Sequence, residues 1–231
     1  MAAVAFDVVG TLFSLEAPRR ELTDAGAPAH TLELWMGQTL RDYFGLSHSG
    51  QYTPLKQVLA DALPRAMAAV GVDIDTERQD RILASFQRLD PAASARRACE
   101  RLGEAGVDRL AVTNAGRDAS VTLIERADMN GQIDKVISCD SIGVSKPHPD
   151  VYERVRREGE APIWMVAAHG WDISGAAHAG LRTAWISSVE QIYLERAHPD
   201  PDLRAEHLAE AADAILGRAA TGEDRHRPTR P

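Results

Sequence analysis

Four short segments of this 231-residue chain put carboxylates, a lysine and small polar groups at points where apolar runs end. The first is Phe6-Asp7-Val8-Val9-Gly10-Thr11-Leu12. A carboxylate inside an otherwise apolar stretch is costly to bury unless something uses it. Gly10, at the bend that follows, lets backbone amides approach whatever that carboxylate holds. Asp7 is therefore a candidate nucleophile or metal ligand; the plainer alternative is an acid that caps the loop. The second segment, Thr113-Asn114-Ala115-Gly116, offers a hydroxyl and an amide to an anionic group, although such residues are also common in ordinary turns. The third carries Lys146 between Ser145 and Pro147. Only three of the 26 basic residues are lysine, at 56, 135 and 146, so a lysine here is a rare choice. Its compact ammonium could neutralise the Asp7 carboxylate and an anionic substrate together. The fourth, Ala167-Ala168-His169-Gly170-Trp171-Asp172, ends in a second carboxylate, which is either a helix N-cap or a working group.

The elements that would carry these segments follow from hydropathy and punctuation. Residues 2–9 are apolar with β-branched Val4, Val8 and Val9, as in a buried parallel strand. The next run of that character is Arg109 to Thr113. Between them, Ser14 to Asp90 reads helical almost throughout, far longer than the dozen or so residues a plain crossover needs. This gives an α/β core of residues 1–13 and 91–220, an inserted helical cap of residues 14–90, and a tail over 221–231 expected to be mobile. From Asp90 onward helix and strand alternate. Asp90-Pro91 reads as a helix start, and Asp118 as the cap of a helix reaching Ala127. Lys135 to Ser138 is a strand, Pro149 to Gly159 a helix, Pro162 to Ala167 a strand. Asp172 to Ala179 is a short helix and Arg182 to Ile186 a fifth strand. Asp200-Pro201 opens an amphipathic helix with Leu203, Leu208, Ala212, Ile215 and Leu216 on one face. The pattern predicts a doubly wound, Rossmann-like parallel sheet, in which ligands bind at the carboxyl ends of the strands. All four chemical segments fall there.

Composition narrows the partners. A net charge of −8 argues against nucleic acid. The longest apolar run, Ile163 to Ala168, is far short of the roughly 18 residues a membrane helix needs, and no basic segment precedes an apolar one at the N-terminus. The expectation is a soluble cytoplasmic protein with no membrane partner. Cys99 and Cys139 have no CxxC spacing, which leaves two buried, reduced thiols rather than a disulfide framework. The arginines at 96, 97, 154, 156 and 157 read as solvated helix faces.

In this order and spacing, FDVVGTLFS, VTNAG, VSKPHPDVY and VAAHGWDISGAAHAGLRTAWI resemble the four motifs of the haloacid dehalogenase superfamily of aspartate-nucleophile hydrolases. Phosphatases of that superfamily carry DxD in the first motif, whose second Asp protonates a poor alkoxide leaving group; here that position is Val9. They place a magnesium-binding Asp in the fourth motif, and that position is Ala168. Halide leaves as a weakly basic anion and needs neither. The resemblance thus points to the 2-haloacid dehalogenase branch, acting without a cofactor on a small anionic substrate such as a 2-halocarboxylate. It implies that Asp7 displaces halide to form an ester, which water then cleaves. Lys146 would hold Asp7 ionised. Thr11, Thr113 and Asn114 would hydrogen-bond Asp7 or the substrate carboxylate, Asp172 would position or deprotonate the water, and Val8, Val9, Tyr152 and Trp171 would line the substrate's place. Two alternatives belong beside it: a magnesium-dependent phosphatase with Asp7 and Asp172 as a reduced Mg2+ site, and a non-catalytic relative that holds a small anion.

Departures from that branch set further expectations. The family's arginine after the cap tryptophan is absent: Met36 and Gly37 follow Trp35, and Arg19, Arg20 and Arg41 are the candidates to substitute. Ala167 and His169 stand where the branch has Ser and Asn. With an ordinary pKa near neutrality, His169 is either a water-activating base or a hydrogen-bonding pocket residue. Trp35, Tyr43, Phe44 and Tyr52 either line the cavity or form cap core and a dimer face; the resemblance makes a homodimer plausible.

Overall fold

The computed structural model describes residues 2–158 and 160–221; the expected mobile tail, from 222 onward, lies outside the described residues. Strands β1 (Ala2–Asp7), β2 (Asp108–Thr113), β3 (Lys135–Ser138), β4 (Glu160–Ala167), β5 (Arg182–Ile186) and β6 (Leu203–Ala205) form one sheet. Its order is β3-β2-β1-β4-β5-β6. Every neighbouring pair is parallel, with Ala5 of β1 beside Leu110 and Met165. β1 is therefore central, and Asp7 sits at its carboxyl end.

Alternation along β1 divides the core. Val4, Phe6 and Val8 face a cluster that includes α5 (Ala95–Glu104), α6 (Arg117–Arg126) and α10 (Leu208–Thr221). Ala3 and Ala5 face the other cluster, with α7 (Pro149–Glu158) and α8 (Gly170–His178). Helices on both faces make the sheet doubly wound, which explains why its strands read as continuous apolar runs. A short helix, α9 (Ser187–Glu190), follows β5.

Between β1 and α5 lie α1 (Glu16–Asp24), α2 (Thr31–His48), α3 (Leu55–Ala69) and α4 (Thr76–Ala84). They pack around a core of their own that includes Leu22, Leu32, Trp35, Leu63 and Met67. Trp35 is fully buried, donates Nε1–H to the Leu59 carbonyl at 3.0 Å and stands edge-on to Phe86 at 5.5 Å between centroids. Cys99 and Cys139 are buried free thiols, and burial pushes both pKa values up to about 12. Among the described residues no helix is long and apolar enough to cross a membrane.

Several element boundaries differ from expectation, each for a local reason. Pro91 does not open a helix. The chain there is drawn to the first-strand loop: Ser14 N donates to Asp90 O, Ala92 N donates to Leu12 O, both at 2.8 Å, and Phe13 bridges Pro91. Helix α5 starts only at Ala95. Asp118 lies in the first turn of α6, and Gly116 holds the cap position. The expected helix from Pro201 is instead β6 followed by α10; Leu203 and Ala205 pair with Ala184 and Ile186. A three-residue edge strand is too short to show a period of its own.

Candidate active site

After Asp7 the chain turns sharply at Gly10, whose φ is +88°. Gly10 N donates to Phe13 O at 2.8 Å, and Phe13 N to Val8 O at 2.9 Å. The turn brings Thr11 back over the strand end, where its hydroxyl donates to Asp7 Oδ2 at 2.7 Å and accepts from Ala168 N at 3.0 Å. A side chain at residue 10 would meet the strained φ and stand 2.9 Å from His169 Nε2, so glycine is required twice over.

Lys146 is wholly buried, and its ammonium bridges the two acids. Nζ donates to Asp7 Oδ1 at 2.8 Å, to Asp172 Oδ2 at 2.6 Å and to the Val112 carbonyl at 3.2 Å. All three of its hydrogens are engaged by the protein. Asp172 is no N-cap: α8 begins at Gly170, and the second Asp172 oxygen accepts from the Tyr152 hydroxyl at 2.6 Å. Tyr152 is thus buried support for Asp172 rather than an open wall. Gly175 makes room for it, since a Cβ there would lie 2.7 Å from the hydroxyl. Asn114 turns its amide oxygen to the lysine loop, accepting from Lys146 N at 2.9 Å and from the Cys139 thiol at 3.2 Å. Thr113 Oγ1 accepts from Ala115 N at 3.0 Å, which leaves its hydroxyl proton to give.

The electrostatics follow from two acids sharing one cation in a buried place. Burial disfavours the Lys146 ammonium, but Asp172 and Asp7 outweigh it and hold the pKa above the ordinary lysine value. Burial raises the Asp172 pKa, opposed by Lys146 and reinforced by the Asp7 charge; the net direction is up. Burial and then the charge of Asp172 push the Tyr152 phenol well above its ordinary value, so it remains a donor.

His169 forms a second polar group beside this triad. Its Nδ1 faces Glu190 Oε1 at 3.4 Å, and Glu190 Oε2 accepts from Gly170 N at 2.9 Å. The imidazole stacks on Trp171 at 5.5 Å, and Trp171 meets Phe44 of α2. Burial opposes its protonation, but Glu190 and then the Asp7 charge prevail, and the pKa lies above 6.5. A raised folded pKa means the imidazolium stabilises the fold below the ordinary value and ceases to do so as pH rises through the folded one. Replacing Glu190 by Gln is expected to lower the His169 pKa, read directly by NMR titration of its ring protons; an unshifted titration would remove Glu190 from this role.

The helices of residues 16–84 are clamped over the strand ends. The Tyr43 hydroxyl donates to the Asn114 carbonyl at 3.2 Å, that of Tyr52 to Asp140, and Ser145 N to the Ser47 hydroxyl at 3.0 Å. Of the four aromatic residues singled out in this segment, Trp35 and Tyr43 are therefore buried packing. Between helices and sheet lies a cavity of about 580 Å³ lined by Val8, Val9, Met36, Leu59, Phe86 and Gly116, among others. The three arginines proposed to replace the missing one are engaged elsewhere: Arg19 with Glu33, Arg20 with Asp90, and Arg41 with Asp42. The cations that do line the cavity are Lys56 and Arg117, and neither has an ion-pair partner among the described residues. Sequence reading missed both. The signals were present, since Lys56 is one of the three lysines and Arg117 directly follows the strand-end turn Thr113–Gly116.

The donor set does not fit a magnesium ion. Lys146 already occupies the space between Asp7 and Asp172, and Ala168, buried where the resemblance places a magnesium-binding Asp in the phosphatases, offers no oxygen from its side chain.

A central-strand acid locked to a buried lysine, placed under a helical layer at the carboxyl edge of a parallel sheet, defines an α/β enzyme that works at its strand ends. The particular family follows from sequence. Residues 1–180 match the family of haloacid dehalogenase-like hydrolases, and the chain belongs to it: it is a hydrolase. It is 28% identical to the (S)-2-haloacid dehalogenase of Xanthobacter autotrophicus over 199 residues, 84% of this chain and 78% of that one. It is 26% identical to the (S)-2-haloacid dehalogenase of Pseudomonas sp. strain YL over 95% of this chain and 97% of that one. The solved structure of the Xanthobacter autotrophicus L-2-haloacid dehalogenase superposes with a TM-score of 0.82 at 24% identity, covering 93% of this chain and 98% of that one.

Proposed function

We propose that this protein hydrolyses the carbon–halogen bond of a 2-halocarboxylate without a metal ion, through an ester formed on Asp7. The observation that carries the reading is the Lys146 ammonium, which binds and orients the Asp7 carboxylate and stands between it and Asp172. An Asp7 carboxylate oxygen attacks C2 as the carbon–halogen bond breaks, and halide leaves with the bonding pair. Water then adds to the Asp7 carboxyl carbon, the ester C–O bond breaks and the 2-hydroxy acid departs. The product's hydroxyl oxygen is the Asp7 oxygen that attacked C2, the water oxygen remains in the restored Asp7 carboxylate, and one proton is released. Attack at C2 inverts its configuration, and the second step leaves it untouched.

Since the three Lys146 hydrogens are all spent on the protein, the substrate carboxylate falls to other donors: the Thr113 hydroxyl and the guanidinium of Arg117 at the cavity wall. Both Asp172 oxygens already hold donors, which makes Asp172 the group that positions Lys146 and the water. His169 is the base for that water. Its Nδ1 is oriented by Glu190, and Nε2 points to the Gly10 turn, an arrangement of base plus orienting acid. His169→Gln is accordingly expected to release about one halide per site and then stall, with the ester mass retained on the Asp7 peptide; continued turnover at the native rate would remove it from this role. In the native enzyme ester hydrolysis is expected to quicken as pH rises through the raised His169 pKa.

The deciding experiment is halide release from short 2-haloacids in EDTA, with the configuration of the 2-hydroxy acid determined. Metal-independent release with inversion supports the reading. Release of phosphate from phosphate esters only, and only with Mg2+, would replace it.

A further inference from the structure

The cavity lined by Val8 and Val9, the two residues that follow Asp7, is much larger than a short haloacid. A three-carbon 2-haloacid has six non-hydrogen atoms and, even if each took the roughly 30 Å³ of a whole water in the liquid, would fill no more than about 180 Å³. The cavity is about 580 Å³, within the range of about 300–1,000 Å³ typical of sites that enclose larger ligands. It also has a continuation. A second cavity, of about 440 Å³, shares Leu59, Leu83 and Phe86 with the first and reaches Ala60 and Ala84 on α3 and α4. Besides these apolar side chains the two cavities share Lys56 and Gln87, and Met36 stands on the wall of the first where the family resemblance would put an arginine. A small substrate would leave such walls without contacts.

Building on the haloacid reading above, we propose that the substrate is a 2-halo derivative of a medium-chain fatty acid, of about eight carbons. Its C2 sits at Asp7, and its alkyl chain runs past Val9 and Met36 and out between α3 and α4 at Leu59, Leu83 and Phe86.

Two assays separate this proposal from the reading beneath it. The first is halide release from 2-bromopropionate and 2-bromooctanoate. Each methylene that leaves water for the cavity is worth about fourfold in kcat/KM, so the longer acid is expected to win by more than tenfold. Leu83→Trp, which plugs the junction of the two cavities, should collapse that ratio; thermal melting of the variant checks that it folds. The second is the melting temperature of the native protein with octanoate or propionate, which carry no halogen. Octanoate should stabilise the protein, propionate at the same concentration should not, and Leu83→Trp should abolish the difference. Equal kcat/KM for the two bromo acids, with no stabilisation by octanoate, would overturn the proposal. Stabilisation by octanoate without halide release from either bromo acid would overturn the haloacid reading while supporting the chain-binding cavity.

Discussion

Replacing Asp7 by Asn is expected to lower kcat by roughly 10⁴- to 10⁶-fold, the range for removal of a covalent nucleophile, and to leave the fold in place. The structure gives the reason for both halves. Asp7 is the acid at the exit of the central strand, 4% exposed, with one oxygen on Lys146 and the other on Thr11. An asparagine retains an oxygen for Lys146, and its NH2 can donate to the Thr11 hydroxyl, which has accepting capacity to spare. Lys146 also keeps Asp172 as a counter-charge. What disappears is the carboxylate oxygen proposed to attack C2. Halide-release kinetics beside a thermal melt would check this; turnover within tenfold of native would withdraw Asp7 as the nucleophile.

Lys146→Met is expected to abolish turnover and also to destabilise the fold, by about 3–5 kcal/mol, the usual consequence of deleting one partner of a buried ion pair. Removing the ammonium leaves Asp7 and Asp172 facing each other with Tyr152 and Thr11 as their remaining donors. The pH dependence has a definite sign. Asp172 already has a raised pKa in the native site, from burial and the neighbouring Asp7, and loses the opposing effect of Lys146 in the variant. A carboxyl that binds its proton more tightly folded than unfolded gains stability as pH falls. The deficit should therefore be largest at neutral pH and shrink in mild acid, while activity stays lost at both. Adding Asp172→Asn should recover part of the stability and none of the activity. Denaturant melts of both variants across pH are the measurement; a deficit that does not change with pH would mean the two acids are not held as a charged pair.

Much of this was legible in the sequence because the relevant signals are local. Strand-like apolar runs followed by Gly or turn residues located β1, β2, β4 and β5 and, with them, Asp7 and Thr113 at strand ends and Asp172 in the helix that follows β4. The rarity of lysine drew attention to Lys146. Signals depending on three residues or on partners distant in sequence were not legible. Strand β6 needed β5 beside it, and Asp90-Pro91 looked like a helix start until the 12–14 segment claimed its backbone groups.

The sequence by itself determined the residue types at the site, their order and the parallel α/β architecture, because each is written in residue identity and short-range periodicity; that Ala168 stands where the phosphatases carry an acid is what the family resemblance implied. Only the tertiary structure decided what those residues do to one another. It turned Tyr152 inward onto Asp172 and Asn114 onto the lysine loop, and it spent all three hydrogens of Lys146 on the protein. It tied Arg19, Arg20 and Arg41 to other acids and set Lys56 and Arg117 at the cavity. Glu190, 21 positions from His169, became its partner. The physical reason is that hydrogen bonds and ion pairs act over a few ångströms, and which groups fall within that range is fixed by how helices and strands far apart in the chain pack together.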